Sequence, residues 1–202
     1  KNQIEIGQLL IAAKANMNRQ LRGHRSALMV AANRNYAKFV QMLIENKASL
    51  DRTDVDGRTA LSTAAASSLK ILANAKASLE VRDTCGHTPL LHAVMQRCSA
   101  EVEVLLDVKA DTNARCPDGL TPLMHAIRIG LANGIDKLLG AHSSSFDVQD
   151  NEGKTALMHA VCSDKDTSQT RMVRMLLEHA MAHCATECNE DEPPAKRFKR
   201  TE

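Results

Sequence analysis

Histidine recurs at a regular interval in the second half of the chain. His92, His125 and His159 follow one another at about 33 residues. Imidazole titrates near neutral pH and binds Zn²⁺, so such a series could form a pH-responsive or metal-assisted surface. Helices that pack side by side lie about 10 Å apart, whereas zinc bonds are only ~2.0 Å long. We therefore interpret the series either as contacts to a partner or as similarity inherited by duplicated segments.

A second group of potential metal ligands lies near the C-terminus, namely His179, His183, Cys184 and Cys188. On one continuous helix the two histidines would lie on the opposite face from the two cysteines, so the four side chains could not converge. We interpret the segment as the end of the last helical unit. The sequence predicts no metal ligand set and no cofactor.

The chain also lacks the patterns that mark common catalytic sites. No glycine-rich phosphate loop and no nucleophile elbow is present, and the histidines are not gathered with serine or cysteine. Acidic residues concentrate in turn-like segments such as 54–57 and 150–153, where Asp and Asn favour turn geometry. We predict that this part of the chain is not an enzyme.

The last residues form a charged segment. An acidic run at 190–192 and two prolines precede a basic cluster, and residues 186–202 are predicted to be a disordered charged tail. The cluster resembles a monopartite nuclear import signal, which would make an import receptor a partner. The alternatives are a solvated chain end or a linker. The basic residues are Lys196, Arg197, Lys199 and Arg200.

The cysteine spacing, the length of the apolar runs and the net charge indicate the compartment in which the protein works. The six cysteines have no framework spacing, and no apolar run approaches the length of a signal sequence or membrane helix. We expect an intracellular protein with free thiols, nuclear if the tail acts as proposed and cytoplasmic otherwise. A formal net charge of +2 and only four Phe and Tyr residues give little support to nucleic-acid binding through the tail, which is kept as an alternative.

The regularly spaced histidines and the acidic turn segments belong to a sequence unit that repeats about every 33 residues. Residues 86–90 read Gly-His-Thr-Pro-Leu and 119–123 read Gly-Leu-Thr-Pro-Leu, with looser copies at 57–61 and 153–157 and a fifth, beginning with His24, at 24–28. Glycine allows a tight turn, threonine caps a helix and proline suits its first position. A second helix ends near Leu105-Leu106, and a polar hairpin follows. The pattern predicts helix, helix, hairpin, repeated.

This pattern resembles the ankyrin repeat, written G-x-T-P-L-H-x-A-A followed by a second helix and G-A-D-V-N. The resemblance implies an all-α repeat solenoid of stacked helix-turn-helix units with projecting β-hairpin loops. It covers residues 1–185, as a half repeat over 1–22 and repeats near 23–55, 56–84, 85–117, 118–151 and 152–185. The chain starts inside a repeat, so we expect a piece of a longer protein.

The sequence departs from the family pattern in two places. Leu91, Met124 and Met158 replace the histidine that follows T-P-L, so its contact must be apolar or made otherwise. Lysine replaces the glycine before A-D-V-N, where a left-handed backbone is expected at a cost of up to ~1 kcal/mol. These lysines form either a basic column or a duplicated feature. They are Lys14, Lys47, Lys76 and Lys109, and His142 takes the position in the next repeat.

The repeat length is uneven. Only 29 residues separate Gly57 from Gly86, and the missing residues lie around 66–68, so we predict a shortened helix pair and a local kink or notch in the concave groove of the array. The last repeat gains a polar segment at 163–169, which predicts a solvent loop.

The resemblance implies a monomeric protein-protein interaction module or scaffold that binds an acidic or phosphorylated partner segment through its concave groove and hairpin tips. The alternative is a regulatory or targeting arm of a larger enzyme or channel. The predicted contact residues are Arg58, Arg82, His87 and Arg115 at the hairpins and His92, Met95, Gln96, His125, Arg128 and His159 on the helices. Asn113 is similar to asparagines that oxygen-dependent hydroxylases modify in the family, and its alternative role is to stabilise the hairpin.

Overall fold

A computed structural model describes residues 2–141, 147–162, 172–179 and 181. In this part of the chain the backbone forms helices joined by turns, and the only β-pairing is an isolated bridge between Gln20 and Ser26. The architecture is an all-α repeat solenoid. The helices are α1 (Asn2–Ala12), α2 (Ala27–Asn33), α3 (Ala37–Glu45), α4 (Ala66–Asn74), α5 (Pro89–Met95), α6 (Ser99–Asp107), α7 (Pro122–Arg128), α8 (Ala132–Gly140) and α9 (Ala156–Cys162). Residues 172–179 are also helical.

The helices stack in two rows. The first helices pack on one another, α5 on α7 and α7 on α9, and the second helices α3, α4, α6 and α8 pack in the same order. The core runs between the rows along the length of the array. Leu157, the equivalent of the T-P-L leucine in the last repeat, is exposed. In the four other repeats that leucine is buried in the core, and so is one leucine of each of α3, α4, α6 and α8. These residues are Leu28, Leu61, Leu90 and Leu123 from the first row and Leu43, Leu72, Leu105 and Leu138 from the second.

The first helices begin as the sequence predicts. Thr88 and Thr121 are N-caps whose hydroxyl oxygens accept the backbone N–H of Leu91 and Met124 at 3.4 Å, and proline holds the first helical position. The Sδ atom of Met124 accepts the backbone N–H of Thr121 at 3.5 Å. Leu91 is buried in the core instead. Of the residues that replace the family histidine, Leu91 therefore makes an apolar contact and Met124 a sulfur hydrogen bond, whereas Met158 is exposed.

The second helices end in the left-handed backbone conformation expected for the lysine positions. The φ angles are 55° at Lys14, 60° at Lys47, 65° at Lys76 and 66° at Lys109. His142 lies outside the described residues. The prediction that these lysines occupy positions suited to glycine is confirmed for the four lysines.

The short repeat, near residues 56–84, has no first helix. Residues 60–63 make a single turn, in which the backbone N–H of Ser62 donates to the Thr59 hydroxyl at 3.2 Å. The second helix α4 keeps nine residues, like α3, α6 and α8. The prediction of a shortened pair is therefore correct for the first helix and wrong for the second, because the buried leucines of α4 are needed to continue the second row. The polar segment at 163–169 and the tail at 186–202 lie outside the described residues.

Candidate protein-binding surface

The hairpin tips share one geometry. The backbone N–H of Asp54 donates to the carbonyl of Arg58 at 3.0 Å, and the pairs Asp83–His87, Cys116–Leu120 and Asp150–Lys154 do the same at 3.0–3.1 Å. In three tips the aspartate Oδ1 accepts two further backbone N–H groups, at 2.8–3.0 Å, from the residues on either side of glycine. The projecting loops are hairpin turns held by these bonds.

Two predicted contact residues, Arg82 and Arg115, connect successive hairpins. The Nη1 atom of Arg82 donates to the carbonyls of Gly86 at 2.7 Å and of Arg115 at 2.6 Å. Arg115 repeats the arrangement, with Nε donating to Gly119 at 3.1 Å and Nη2 to Gln149 at 2.8 Å. Both guanidinium groups are thus engaged in holding the row of tips together.

A third predicted residue, Arg58, is engaged by acids of its own tip. Its Nε and Nη2 atoms donate to Oδ2 of Asp54 at 3.2 and 3.1 Å, and Nη2 also contacts the carboxylate of Asp56. Burial raises the pKa of Asp54, but the backbone N–H and the guanidinium of Arg58 outweigh it and the net pKa is lowered. The charge of Arg58 is largely balanced within the tip.

The missing turns of the short repeat leave a notch between α2 and α5. Its cavity volume is about 350 Å³, and three predicted contact residues, Arg58, His92 and Gln96, line it together. Asn33 of α2 closes the opposite side and donates from Nδ2 to the carbonyl of Thr63 at 3.1 Å. Small residues form part of the lining, namely Ser62, Thr63, Ala64, Ala65 and Ala93, and the remaining lining residues are Leu61, Leu69, Pro89, Cys98, Glu101 and Leu105. The predicted notch is therefore present, and sequence analysis had not singled out Asn33.

The three regularly spaced histidines occupy different environments. His92 lies in the notch, where burial lowers its pKa and Asp83 partly opposes the shift. His125 packs edge-on against His87 with ring centroids 6.4 Å apart. Its Nε2 is buried and has no hydrogen-bond partner among the described residues. Burial first, and then the charges of Arg128 and His87, lower the pKa of His125 to about 4.

His159 is held by its own hairpin instead. Its Nε2 lies 2.6 Å from Oδ2 of Asp150, an aspartate whose side chain is only 4 % exposed. Burial raises the pKa of Asp150, but backbone N–H groups and His159 outweigh it, so the net pKa is lowered. The histidine series therefore does not form a common ligand set within the described residues.

A second recess, of about 470 Å³, brings Arg128 and His159 together. Arg128 is exposed, and the lining carries both signs of charge. The other lining residues are Asp118, Leu120, Asp150, Asn151, Glu152 and Lys154. The remaining predicted helical contact, Met95, is an exposed apolar side chain on α5.

Asn113 lies in a turn stabilised by local hydrogen bonds. Its backbone N–H donates to Oδ1 of Asp111 at 2.9 Å, and the Asp111 N–H donates to Oε1 of Glu80 in the preceding repeat at 2.9 Å. At the equivalent position near the N-terminus, Asn18 accepts the backbone N–H of Ser49 at 2.7 Å. Asn18 and Glu80, which occupy the position equivalent to Asn113 in their own repeats, thus each accept a backbone N–H of the next repeat. The basic residues proposed for nuclear import, Lys196, Arg197, Lys199 and Arg200, lie outside the described residues.

Comparison with known proteins identifies the family. A family model described as ankyrin repeats (3 copies) matches residues 1–73, 67–147 and 102–191. No curated protein matches the chain. Among the described residues no helix is both long and apolar enough to cross a membrane. Ankyrin repeats are generally protein-interaction modules and are typically not catalytic. Together with the stacked helix pairs and hairpin tips, the match shows that the chain belongs to the ankyrin repeat family.

Proposed function

We propose that this array binds an extended segment of another protein along the first helices and the hairpin tips. The observation that carries the proposal is the notch between α2 and α5. It interrupts an otherwise regular row of first helices and lies beside exposed residues of α5. A recess of about 350 Å³ is large enough to accept one side chain of a bound segment. The array thereby acts as a non-catalytic interaction module.

The lining of the notch indicates which side chain it accepts. Ala64, Ala65 and Ala93 offer apolar contact, while the amides of Asn33 and Gln96 can hydrogen-bond the main chain of a bound segment. His92 contributes a neutral imidazole at pH 7, because its pKa is lowered from an ordinary value already below 7. We therefore propose that an aliphatic side chain of the partner enters the notch, with its backbone amides facing the rim.

Charge refines the expectation of an acidic or phosphorylated partner. Arg58, Arg82 and Arg115 are already hydrogen-bonded within the array. The exposed Arg128 borders a recess that also holds Asp118 and Glu152. A segment of mixed charge complements this surface better than a uniformly acidic one, because each acid of the lining would repel a partner carboxylate.

Location is a separate proposal that rests on the tail sequence. We propose that Lys196, Arg197, Lys199 and Arg200 direct nuclear import. A fluorescent fusion of the full chain should accumulate in the nucleus. Replacing the four residues by alanine should make it uniformly distributed, and an unchanged distribution would contradict the proposal.

The notch can be tested by blocking it. Peptides that bind the full chain are selected from a random library. Their affinities are then measured for the original chain and for a Gln96→Trp variant. The indole of this variant would fill the notch from the exposed end of α5. We expect at least about tenfold weaker binding, since one buried side-chain contact contributes on the order of 1.5 kcal/mol.

The matched control is Gln41→Trp, which adds the same exposed indole to the second-helix row on α3. It should bind the selected peptides as the original chain does. Equal binding by all three proteins would show that the notch is not the binding site. Equal loss in both variants, with unchanged circular dichroism, would place the peptide elsewhere on the array.

A further inference from the structure

The hairpin tips bring three side chains together at fixed positions. These are the residue three before the tip glycine, the residue one before it and the residue one after it. At the first acidic tip these positions hold Asp54, Asp56 and Arg58, and the guanidinium contacts both carboxylates. At the last tip the same positions are Asp, Glu and Lys, and the Lys154 Nζ lies 2.7 Å from the Glu152 carboxylate. In both tips a basic side chain, Arg58 or Lys154, is paired with a carboxylate of the same tip.

The tip between α4 and α5 has no such cation at these positions. It holds Asp83, Cys85 and His87 instead. Nδ1 of His87 lies 3.5 Å from Oδ2 of Asp83, and Sγ of Cys85 completes a set in which all three atoms lie within 4.8 Å of one another. The nearby Arg82 donates to the carbonyls of Gly86 and Arg115. A carboxylate, a thiol and an imidazole thus converge where the tips at Gly57 and Gly153 place a guanidinium or an ammonium group.

Two of these three ligands are held in place by the hairpin. Oδ1 of Asp83 accepts the backbone N–H groups of Cys85 at 2.9 Å and His87 at 2.8 Å, which leaves Oδ2 facing the imidazole. The side chains of Asp83 and His87 are only 10 % and 17 % exposed, and His125 packs against the His87 ring. Cys85 is exposed, so its side chain can rotate toward the other two and still leave room for a water molecule.

We propose that Asp83, Cys85 and His87 bind one Zn²⁺ ion, with water in the fourth position. Thiolate, imidazole and carboxylate are the ligands that zinc prefers, at ~2.0–2.3 Å. Rotation of the Cys85 side chain brings Sγ to that distance from an ion held by the other two. The Cys85 thiol releases its proton to solvent when the thiolate forms. The ion supplies at this tip the positive charge that Arg58 supplies at the tip of the preceding repeat.

Titration with zinc alone tests the site. The reduced 202-residue chain is titrated with Zn²⁺ by calorimetry and with Co²⁺ as an absorbing substitute. We expect one zinc equivalent that is lost in Cys85→Ser, together with the thiolate-to-cobalt absorption band. Asp83→Asn keeps an oxygen for the two backbone N–H groups but removes the charge, and should weaken zinc binding more than about 10-fold.

The controls separate this site from other thiols and from loss of structure. Cys162→Ser removes another exposed thiol, and Cys184→Ser with Cys188→Ser removes two near the C-terminus. Both should retain the Cys85-dependent equivalent. The double variant Cys85→Asp with His87→Arg rebuilds the Arg58 type of tip, and should fold with unchanged circular dichroism but lose that equivalent. The proposal is overturned if Cys85→Ser binds as many zinc ions, with the same affinity, as the original chain.

Discussion

The guanidinium of Arg82 is hydrogen-bonded to the backbone carbonyl of Arg115, one repeat further along, at 2.6 Å. The same group also holds the carbonyl of Gly86 in its own hairpin. One side chain therefore fixes the spacing between two tips. Sequence reasoning assigned Arg82 to a partner because it is a hairpin arginine, but the structure shows that its substitution would disturb the hairpins as well as any contact.

Arg82→Ala should therefore lower the free energy of unfolding by about 1 kcal/mol, the usual contribution of such hydrogen bonds in an exposed setting. Arg128→Ala should change it by less than about 0.5 kcal/mol, because Arg128 is an exposed side chain at a helix end. Urea unfolding followed by circular dichroism measures both. Equal effects of the two substitutions would show that the inter-hairpin bonds add nothing to stability.

The left-handed lysines offer a route to stabilisation. Lys76 has a φ of 65° at the end of α4, so Lys76→Gly should raise the free energy of unfolding by up to about 1 kcal/mol, less a few tenths for the lost interaction with the helix dipole. Lys70→Gly, at an exposed position inside the same helix, should lower it by about 1 kcal/mol. Two substitutions of the same type should thus have opposite signs in the same unfolding assay. A loss of stability in Lys76→Gly would contradict the backbone argument.

Two tip glycines differ only in what surrounds them. Gly57 and Gly153 have φ angles of 74° and 76°. A Cβ on Gly57 would lie 2.8 Å from the backbone nitrogen of Thr84, whereas a Cβ on Gly153 meets no described atom within 4 Å. Both alanine variants should lose about 1 kcal/mol from the backbone conformation. Gly57→Ala should lose at least about 1 kcal/mol more, since the adjoining hairpin must move. Thermal unfolding would show this difference, and identical midpoints would argue against close packing of the tips.

The partly buried imidazole of His125, whose Nε2 atom is buried, should make stability depend on pH. Its folded pKa is about 4, below the ordinary value of 6.5, so the unfolded chain binds the proton first as pH falls. The contribution of neutral His125 to the free energy of unfolding is therefore fully present above pH 6.5 and is lost as the pH falls from 6.5 toward 4. The lowered pKa of His92 adds to the same trend. NMR titration of the His125 ring and unfolding curves across this range measure the two quantities.

His125→Leu should reduce the pH dependence between 6.5 and 4, because an apolar side chain replaces the group that resists protonation. The dependence due to His92 should persist in this variant. An NMR pKa of 6.5 or higher for His125 would contradict the assignment of its ring to a buried, unpartnered position.

Local rules predicted most of the fold. The Thr-Pro pairs at 88–89 and 121–122 mark helix starts by capping and by the fixed φ of proline, and Lys109 marks a helix end by analogy with glycine. The site was less predictable. Arg58 and Arg82 have partners that depend on the exact approach of neighbouring carboxylates and carbonyls. Spacing alone also could not show that alternate residues of a tip converge, and so did not reveal the cluster of Asp83, Cys85 and His87.

The single turn at residues 60–63 also bears on how the protein unfolds. In a linear stack, stability is a sum of unit terms and nearest-neighbour interface terms, so the array separates first where an interface is smallest. Where a full helix would lie between α2 and α5, only this turn remains, while α4 still joins α3 to α6. The segment before Gly57 and the segment after Gly86 should then behave as two cooperative units. Native-state hydrogen exchange should show the amides of α2 and α3 opening as one group, and those from α5 to α8 as another, of different free energy.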